Sequence, residues 1–279
     1  MRDIRIFRPL IWMTLFGFVL VLSLPARAAE RDRLEAFLKV TGFDVALESI
    51  GLAAGDAPGL LGMQASDFGA DWTRTADEVF DTQTMHTMAM DILEAALSDD
   101  LLTHAAAFYA SPLGQRLVEA ENASHMANDD VKQSKGTALV AEWVADGDAR
   151  VDILRQLNQA VDAADSGVRA VQEIQVRFYV AASRSGILDY DIDEETLRRV
   201  IKQGEAELRV NLQVSALANA AYTYQDFSEE DIRAYLEALE HPDMQLVYEL
   251  MNAVQYEIMA NRFEILAGRM ADLHPGQEL

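Results

Sequence analysis

Histidines are the most versatile chemical groups available to this chain, because it contains no cysteine. A chain without thiols has no disulfide, no thiolate nucleophile and no thiolate metal site. A zinc face on a helix requires two histidines three or four residues apart. No pair has that spacing among the five histidines, which are His86, His104, His125, His241 and His274.

Two further patterns could bind a metal, and both are incomplete. Glu121 and His125 lie one helical turn apart, but a single carboxylate–histidine pair is more typical of a surface contact than of a metal site. Asp189-Tyr-Asp191-Ile-Asp193 begins like a calcium loop. Such a loop requires glycine at its sixth position and glutamate at its twelfth, where this chain has Glu194 and Val200. The sequence therefore predicts no metal site and no cofactor.

Motifs of known catalytic mechanisms are also absent from the sequence. There is no Gly-x-Ser-x-Gly elbow, no Ser-x-x-Lys and no glycine loop that could hold a phosphate. With 46 acidic residues, no particular pair can be selected as the two carboxylates of a glycosidase. We therefore predict no catalytic residue, while an enzyme whose site cannot be read from sequence remains the alternative.

The elements that would position any site are predicted to be helices almost throughout. Apolar residues recur at helical spacing from residue 34 to about residue 50 and again from about 67 to 97, with a Gly/Pro-rich loop predicted at 51–62. Ser98 is predicted to cap the next helix and Pro112 to begin the one after it. Residues 174–180 alternate like a strand but also fit a helix. Because no partner strand is evident, we predict a helix there and an all-α fold.

The second half of the chain repeats the organisation of the first. Residues 97–119 align without a gap on residues 227–249, at a constant offset of 130. Both windows have serine, two acidic residues and then Pro-x-x-Gln at equal distances. Asp193 and Ser228 are further predicted caps, and Gly204 is predicted to lie where two helices approach closely. This similarity predicts duplication into two related multi-helix lobes.

The first thirty residues have the pattern of a secretory signal peptide. Three arginines within the first eight residues precede an apolar run over residues 10–24, and Ala26-Arg27-Ala28 offers a cleavage site after Ala28. The alternative is an uncleaved anchor, but fifteen helical residues span only about 22 Å, short of the roughly 30 Å hydrocarbon core. Charged residues interrupt every later apolar run. We therefore expect an exported, periplasmic protein with no membrane span in its mature form.

The charge balance excludes one large class of partners. The chain has 23 Lys+Arg against 46 Asp+Glu, a formal net charge of −23. Nucleic-acid binding requires lysines and arginines that neutralise phosphates, so a nucleic-acid partner is disfavoured. Such a charge is typical of a soluble acidic surface, and loose attraction of divalent or polycationic ligands is the alternative.

One short motif is distinctive, and it follows the cap at Ser98. Its residues are Phe108, Tyr109, Ser111, Pro112, Gly114, Gln115 and Arg116. Here the chain resembles a bacterial family of exported helical proteins, domain of unknown function 2059, whose members have an aromatic pair, a Ser/Thr-Pro-x-Gly turn, glutamine and a basic residue. The resemblance implies export and helices but no activity and no catalytic residues.

Two interpretations of this motif remain open. In the structural one, the aromatic pair closes the core, Ser111 caps a helix that Pro112 begins, and Gly114 allows close approach of a neighbouring element. In the other, Tyr109, Gln115 and Arg116 form a recognition corner for a partner.

Taken together, these patterns predict a signal peptide at residues 1–28 and helical repeats at 29–147 and 148–279. We expect a non-enzymatic binding protein of the cell envelope whose partner is another envelope protein or a cell-wall component. An envelope hydrolase is the alternative. A deep pocket that gathers carboxylates, or His104 with Tyr109, would favour the hydrolase, whereas an extended apolar groove would favour the binding protein.

Overall fold

The computed structural model describes residues 23–273, with side chains from residue 30 onwards. Within that range the secondary structure is helical and contains no strand, so the predicted all-α class is confirmed. The predicted signal peptide falls almost entirely outside the described residues. None of the described helices has the length and apolar character that crossing a bilayer requires.

The first part of the chain forms eight α-helices, with 3₁₀ turns at Gly51–Asp56 and Ala65–Phe68. They are α1 (Ser23–Thr41), α2 (Phe43–Ile50), α3 (Ala57–Leu60), α4 (Trp72–Val79), α5 (Thr82–Ala96), α6 (Asp99–Tyr109), α7 (Pro112–His125) and α8 (Asp129–Asp146). The remaining six are α9 (Arg150–Ala160), α10 (Ala163–Arg184), α11 (Glu194–Gln203), α12 (Glu205–Thr223), α13 (Glu229–Leu239) and α14 (Pro242–Leu273).

Caps predicted from sequence begin three of these helices. Ser98, Asp193 and Ser228 each accept a hydrogen bond from the backbone N–H three residues later, at 3.4, 2.9 and 3.1 Å. These contacts satisfy an N–H that has no partner within the helix itself. Residues 174–180 lie inside α10, so the helix prediction there is confirmed.

The spacing of apolar residues did not reveal the boundary between consecutive helices, because the spacing is similar on both sides of that boundary. Gly42 breaks the first predicted helix because its backbone is left-handed, with φ 72°. The helix predicted over 67–97 is interrupted at Asp81, whose carboxylate accepts the N–H of Thr84 at 2.8 Å and begins α5.

The predicted loop at 51–62 instead contains a 3₁₀ turn and α3. The close approach predicted at Gly204 is wrong, since this glycine is exposed between α11 and α12.

The helices of both predicted repeats share one core. The longest helix, α14, packs along α10 and also contacts α4, α5 and α6, while α8 packs against α12. Buried side chains from Leu34 to Met270 form one hydrophobic cluster. Helices of the two halves therefore pack against each other within this core.

The two aligned windows have closely similar local structure. Helices α6 and α13 each contain 11 residues and have bounds offset by 130. Their following residues, Ala110 and Glu240, have backbone angles of −75°, −10° and −74°, −9°. The next helices then differ, because α7 ends at His125 whereas α14 continues to Leu273. Duplication of the complete repeats stays a prediction.

The close approach of α8 to α12 depends on Gly136. A Cβ added at this position would overlap the backbone carbonyl of Ala218 on α12. Only a residue without a side chain allows two helix backbones to lie this near to each other. Beside this contact, Gln133 donates to Asn219 Oδ1 at 2.9 Å. Lys132 on α8 and Asn219 on α12 line a cavity next to this contact.

Candidate functional site

A partly buried glutamate lies among four tyrosines where both halves of the chain meet. Glu121 is on α7, and its Oε1 accepts hydrogen bonds from Tyr224 at 2.7 Å and Tyr235 at 2.9 Å. The Tyr248 hydroxyl lies 2.7 Å from that of Tyr235 and also bonds to that of Tyr109. We call these five residues the Glu121 cluster.

Five elements position the cluster, with Glu121 on α7. Tyr109 is the last residue of α6, and Tyr224 directly follows α12. Tyr235 is on α13 and Tyr248 is on α14. The rings of Tyr224 and Tyr235 meet edge to face, with centroids 5.9 Å apart. The cluster therefore fixes α6 and α7 against three elements of the second half.

Burial determines the ionisation of the cluster. Removal from water raises the pKa of the Glu121 carboxyl to about 7, although the hydroxyls of Tyr224 and Tyr235 partly oppose this rise. Burial also raises the pKa of all four tyrosine hydroxyls above the ordinary value, so they are neutral donors at physiological pH. Near neutral pH, Glu121 thus exchanges between a carboxylate and a neutral acid.

The cluster forms one wall of a cavity of about 440 Å³. That volume lies within the range of small-molecule sites, roughly 300–1,000 Å³. Polar side chains outside the cluster contribute much of the remaining lining; they are Thr41, Asn122, Ser124, His125, Lys132, Asn158, Asn219, Thr223, Asn252, Gln255 and Tyr256. A neighbouring cavity of about 710 Å³ shares Val161, Asn252 and Tyr256 with it.

One oxygen atom in the cavity wall, Glu121 Oε2, is available to accept a hydrogen bond. Both tyrosine bonds to Glu121 end on Oε1, and Oε2 accepts none from the described residues. Asn122 Oδ1 is removed from solvent and has no hydrogen-bond partner among the described residues. Buried polar atoms without partners are uncommon because their desolvation is not compensated. A bound molecule that donates a hydrogen bond would find its acceptor in Glu121 Oε2, whereas Asn122 Oδ1 is out of its reach.

Other groups in the cavity are already paired or neutral. Thr223 donates to Ser124 Oγ at 2.8 Å. Burial lowers the pKa of His125, and the positive charge of Lys132 lowers it further. Lys132 itself is 2.7 Å from the carboxylate of Asp129. Because adjacent residues on a helix do not face each other, Ser124 and His125 do not form a nucleophile–base pair.

The sequence-predicted motif lies beside the cluster and contributes Tyr109 to it. Tyr109 is 3% exposed, so the buried member of the aromatic pair is the tyrosine. Phe108 is partly buried and stacks on Tyr235 at 5.8 Å. Ser111 caps α7 by accepting the N–H of Gly114 at 3.0 Å, and Pro112 is the first residue of that helix.

The polar motif residues also contact their own chain. Gln115 donates to the carbonyl of Ala110 at 3.1 Å. The Arg116 guanidinium pairs with Asp231 at 2.6 Å and lies over the ring of Phe227, 5.3 Å from its centroid. Both contacts of Arg116 reach the second half of the chain. The structural interpretation of the motif stays a prediction, which the following substitution tests.

Gly114→Ala is expected to destabilise the protein by about 1–3 kcal/mol, because the new Cβ would overlap the backbone of Phe108 and Tyr109. Gly268→Ala is the matched control. A Cβ at Gly268 on α14 meets no atom within 4 Å, and alanine there should stabilise by about 0.5–1 kcal/mol. Urea denaturation measures both effects. Equal stability of Gly114→Ala and the native chain would contradict the structural interpretation.

Comparison with known proteins bears on this part of the chain. Residues 83–142 match a family described as an uncharacterized protein conserved in bacteria, DUF2059. The resemblance predicted from the motif is thus confirmed. Comparisons with curated proteins and with solved structures gave no match. The DUF2059 segment contains Tyr109 and Glu121, whereas the other three tyrosines of the cluster lie outside it.

Sequence reasoning missed the cluster as a site. It noted Glu121 with His125 as a surface pair, but Glu121 is bonded to buried tyrosines. Tyr109 is 126 residues from Tyr235 and 139 from Tyr248. No spacing rule connects residues so far apart. The local signal was weak, because Leu117 and Val118 lie one turn before Glu121 but Ser124 and His125 lie one turn after it.

The prediction that no two histidines form a metal-binding pair considered only residues three or four positions apart in the sequence. In the folded chain His104 and His241 are neighbours, and Asp243 lies next to them. This group lies outside the cavity.

Proposed function

We propose that the protein is a non-enzymatic binding protein of the cell envelope that holds a small polar cell-wall component in the Glu121 cavity. The observation that carries this proposal is the free acceptor Glu121 Oε2 in a cavity of ligand size. A molecule with a hydroxyl, amide or ammonium donor would satisfy it. The envelope location is supported by the N-terminal pattern and by the resemblance to an exported family.

The lining of the cavity supports binding over hydrolysis. Glu121 is the single carboxyl group among the residues that line it. A glycosidase mechanism requires a second carboxyl about 5–10 Å away. Nucleophilic catalysis requires a hydroxyl bonded to a base, and the Ser124 hydroxyl is instead bonded to Thr223. The hydrolase alternative rests only on the raised pKa of Glu121.

Binding is tested with two defined probes, N-acetylglucosamine and the dipeptide D-alanyl-D-alanine, by titration calorimetry on the purified chain. We expect one of them to bind with one molecule per chain. Glu121→Gln should weaken that affinity by about tenfold or more, because a hydrogen bond to a charged group contributes roughly 1.5–3 kcal/mol. The calorimetry is done at pH 8, where Glu121 is ionised in most molecules.

The matched control is Glu119→Gln, an exposed glutamate on the same helix. It makes the same change in charge and should leave the affinity unchanged. Equal affinity of Glu121→Gln and the native chain would contradict the assignment of the site. Failure of both probes to bind would contradict the cell-wall class of ligand.

A further inference from the structure

Two histidines from distant parts of the sequence stack against each other beside the α13–α14 turn. The ring of His104, on α6, lies 4.2 Å from the ring of His241 between centroids, with planes inclined by 28°. Asp243 follows two residues later, and its Oδ2 is 3.8 Å from His241 Nδ1. His241 is exposed, and the other two side chains are partly buried. All three are therefore accessible to an ion from solvent.

The spacing of the donor atoms is close to that of a metal site. One donor atom from each of the three side chains lies within 4.8 Å of the other two. Bond lengths of about 2.0–2.2 Å in a tetrahedral zinc site place neighbouring donors roughly 3.4 Å apart. The difference is small enough for rotation of partly exposed side chains to close it.

The donor types select the kind of metal. Two imidazoles with one carboxylate suit zinc and similar transition ions, whereas magnesium and calcium prefer sites made only of oxygen atoms. Three protein ligands leave the fourth tetrahedral position for water. The net charge of −23 also raises the concentration of cations near the surface.

We propose that His104, His241 and Asp243 form a Zn²⁺ site that joins α6 to the start of α14. The ion would link residues 137 positions apart, so it would constrain a long section of the chain. Binding to the folded state alone would then raise its stability. This proposal is independent of the Glu121 cavity and of its ligand.

His241 also has a structural contact that the test must preserve. Its Nδ1 accepts the N–H of Asp243 at 3.2 Å and thereby caps α14. At the corresponding position 130 residues earlier, Ser111 caps α7 with its hydroxyl. His241→Ser therefore removes the imidazole but supplies a capping oxygen of the kind already used in this chain.

The experiment titrates ZnCl₂ into the full chain after treatment with a chelator, by calorimetry and by thermal melting. The native chain is expected to bind one Zn²⁺ with a rise in Tm, and Co²⁺ in its place should give the visible absorption of a tetrahedral site. His241→Ser and His104→Gln should each bind Zn²⁺ at least about tenfold more weakly, since loss of even a supporting partner has that effect.

Three controls separate this site from general attraction to an acidic surface. His86→Gln changes another partly buried histidine and should retain the native affinity. CaCl₂ should give no comparable rise in Tm, and Glu121→Gln should still bind Zn²⁺. The proposal would be overturned by absence of Zn²⁺ binding to the native chain, by native affinity in His241→Ser and His104→Gln, or by an equal response to Ca²⁺.

Discussion

Tyr235→Ala is expected to lower the free energy of unfolding by about 3–5 kcal/mol, the range for removing a large buried ring. Tyr235 is 2% exposed and stacks on Phe108. Its hydroxyl also donates to Glu121 and bonds to Tyr248. The substitution would therefore leave a cavity and deprive the Glu121 carboxylate of one of its donors. Urea denaturation followed by circular dichroism measures the change.

One variant separates the contribution of the ring from that of the hydroxyl, and a second variant is the control. Tyr235→Phe keeps the ring and removes the hydroxyl, so it should cost only about 1–3 kcal/mol. Tyr190→Ala removes a tyrosine that is 63% exposed and should change stability by no more than about 0.5 kcal/mol. If Tyr235→Ala were as stable as Tyr190→Ala, the Glu121 cluster would not be part of the folded core.

The second large expected effect is a dependence of folding stability on pH that arises from the carboxyl group of Glu121. Burial raises the pKa of Glu121 from the ordinary value of 4.5 to about 7. Between these values the folded state binds more protons than the unfolded state, so stability falls as pH rises. The stability that protonated Glu121 gives to the folded state is fully present below about pH 4.5 and is lost as pH rises through 7. The shift corresponds to about 3 kcal/mol.

Glu121→Gln removes this titration and should remove the corresponding slope. We expect the stability of the native chain relative to Glu121→Gln to decrease by about 3 kcal/mol between pH 4.5 and pH 8. Glu119→Gln changes an exposed carboxyl group on the same helix and should track the native chain across this range. Parallel curves for the native chain and Glu121→Gln would show that Glu121 titrates in the folded protein as it does in water.

These two experiments also bear on the proposed ligand. A donor molecule bound to Glu121 Oε2 would favour the carboxylate over the neutral acid and lower the pKa of this group. The loss of stability between pH 4.5 and pH 8 should therefore be smaller when the ligand is bound. The cluster thus connects the stability of the fold to the occupancy of its cavity.

Local elements of this protein follow directly from its sequence. The caps at Ser98, Asp193 and Ser228 and the helix start at Pro112 were predictable, because a capping side chain bonds to a backbone N–H only three residues away. The apolar period of 3.6 residues likewise fixed the all-α class. It failed at Asp81, where two helices with similar apolar faces meet at a new cap.

The sites, in contrast, were decided by tertiary structure. Tyr109 and Tyr248 meet because α6 packs on α14, and His104 meets His241 for the same reason. These partners are more than 130 residues apart, and helical periodicity indicates only which face of a helix is buried, not which helix covers it. Composition gave a net charge of −23, but the pKa of Glu121 depends on the surrounding tyrosines. Local hydrogen bonding and periodicity therefore determined the helices, whereas long-range packing determined which of their polar side chains came together.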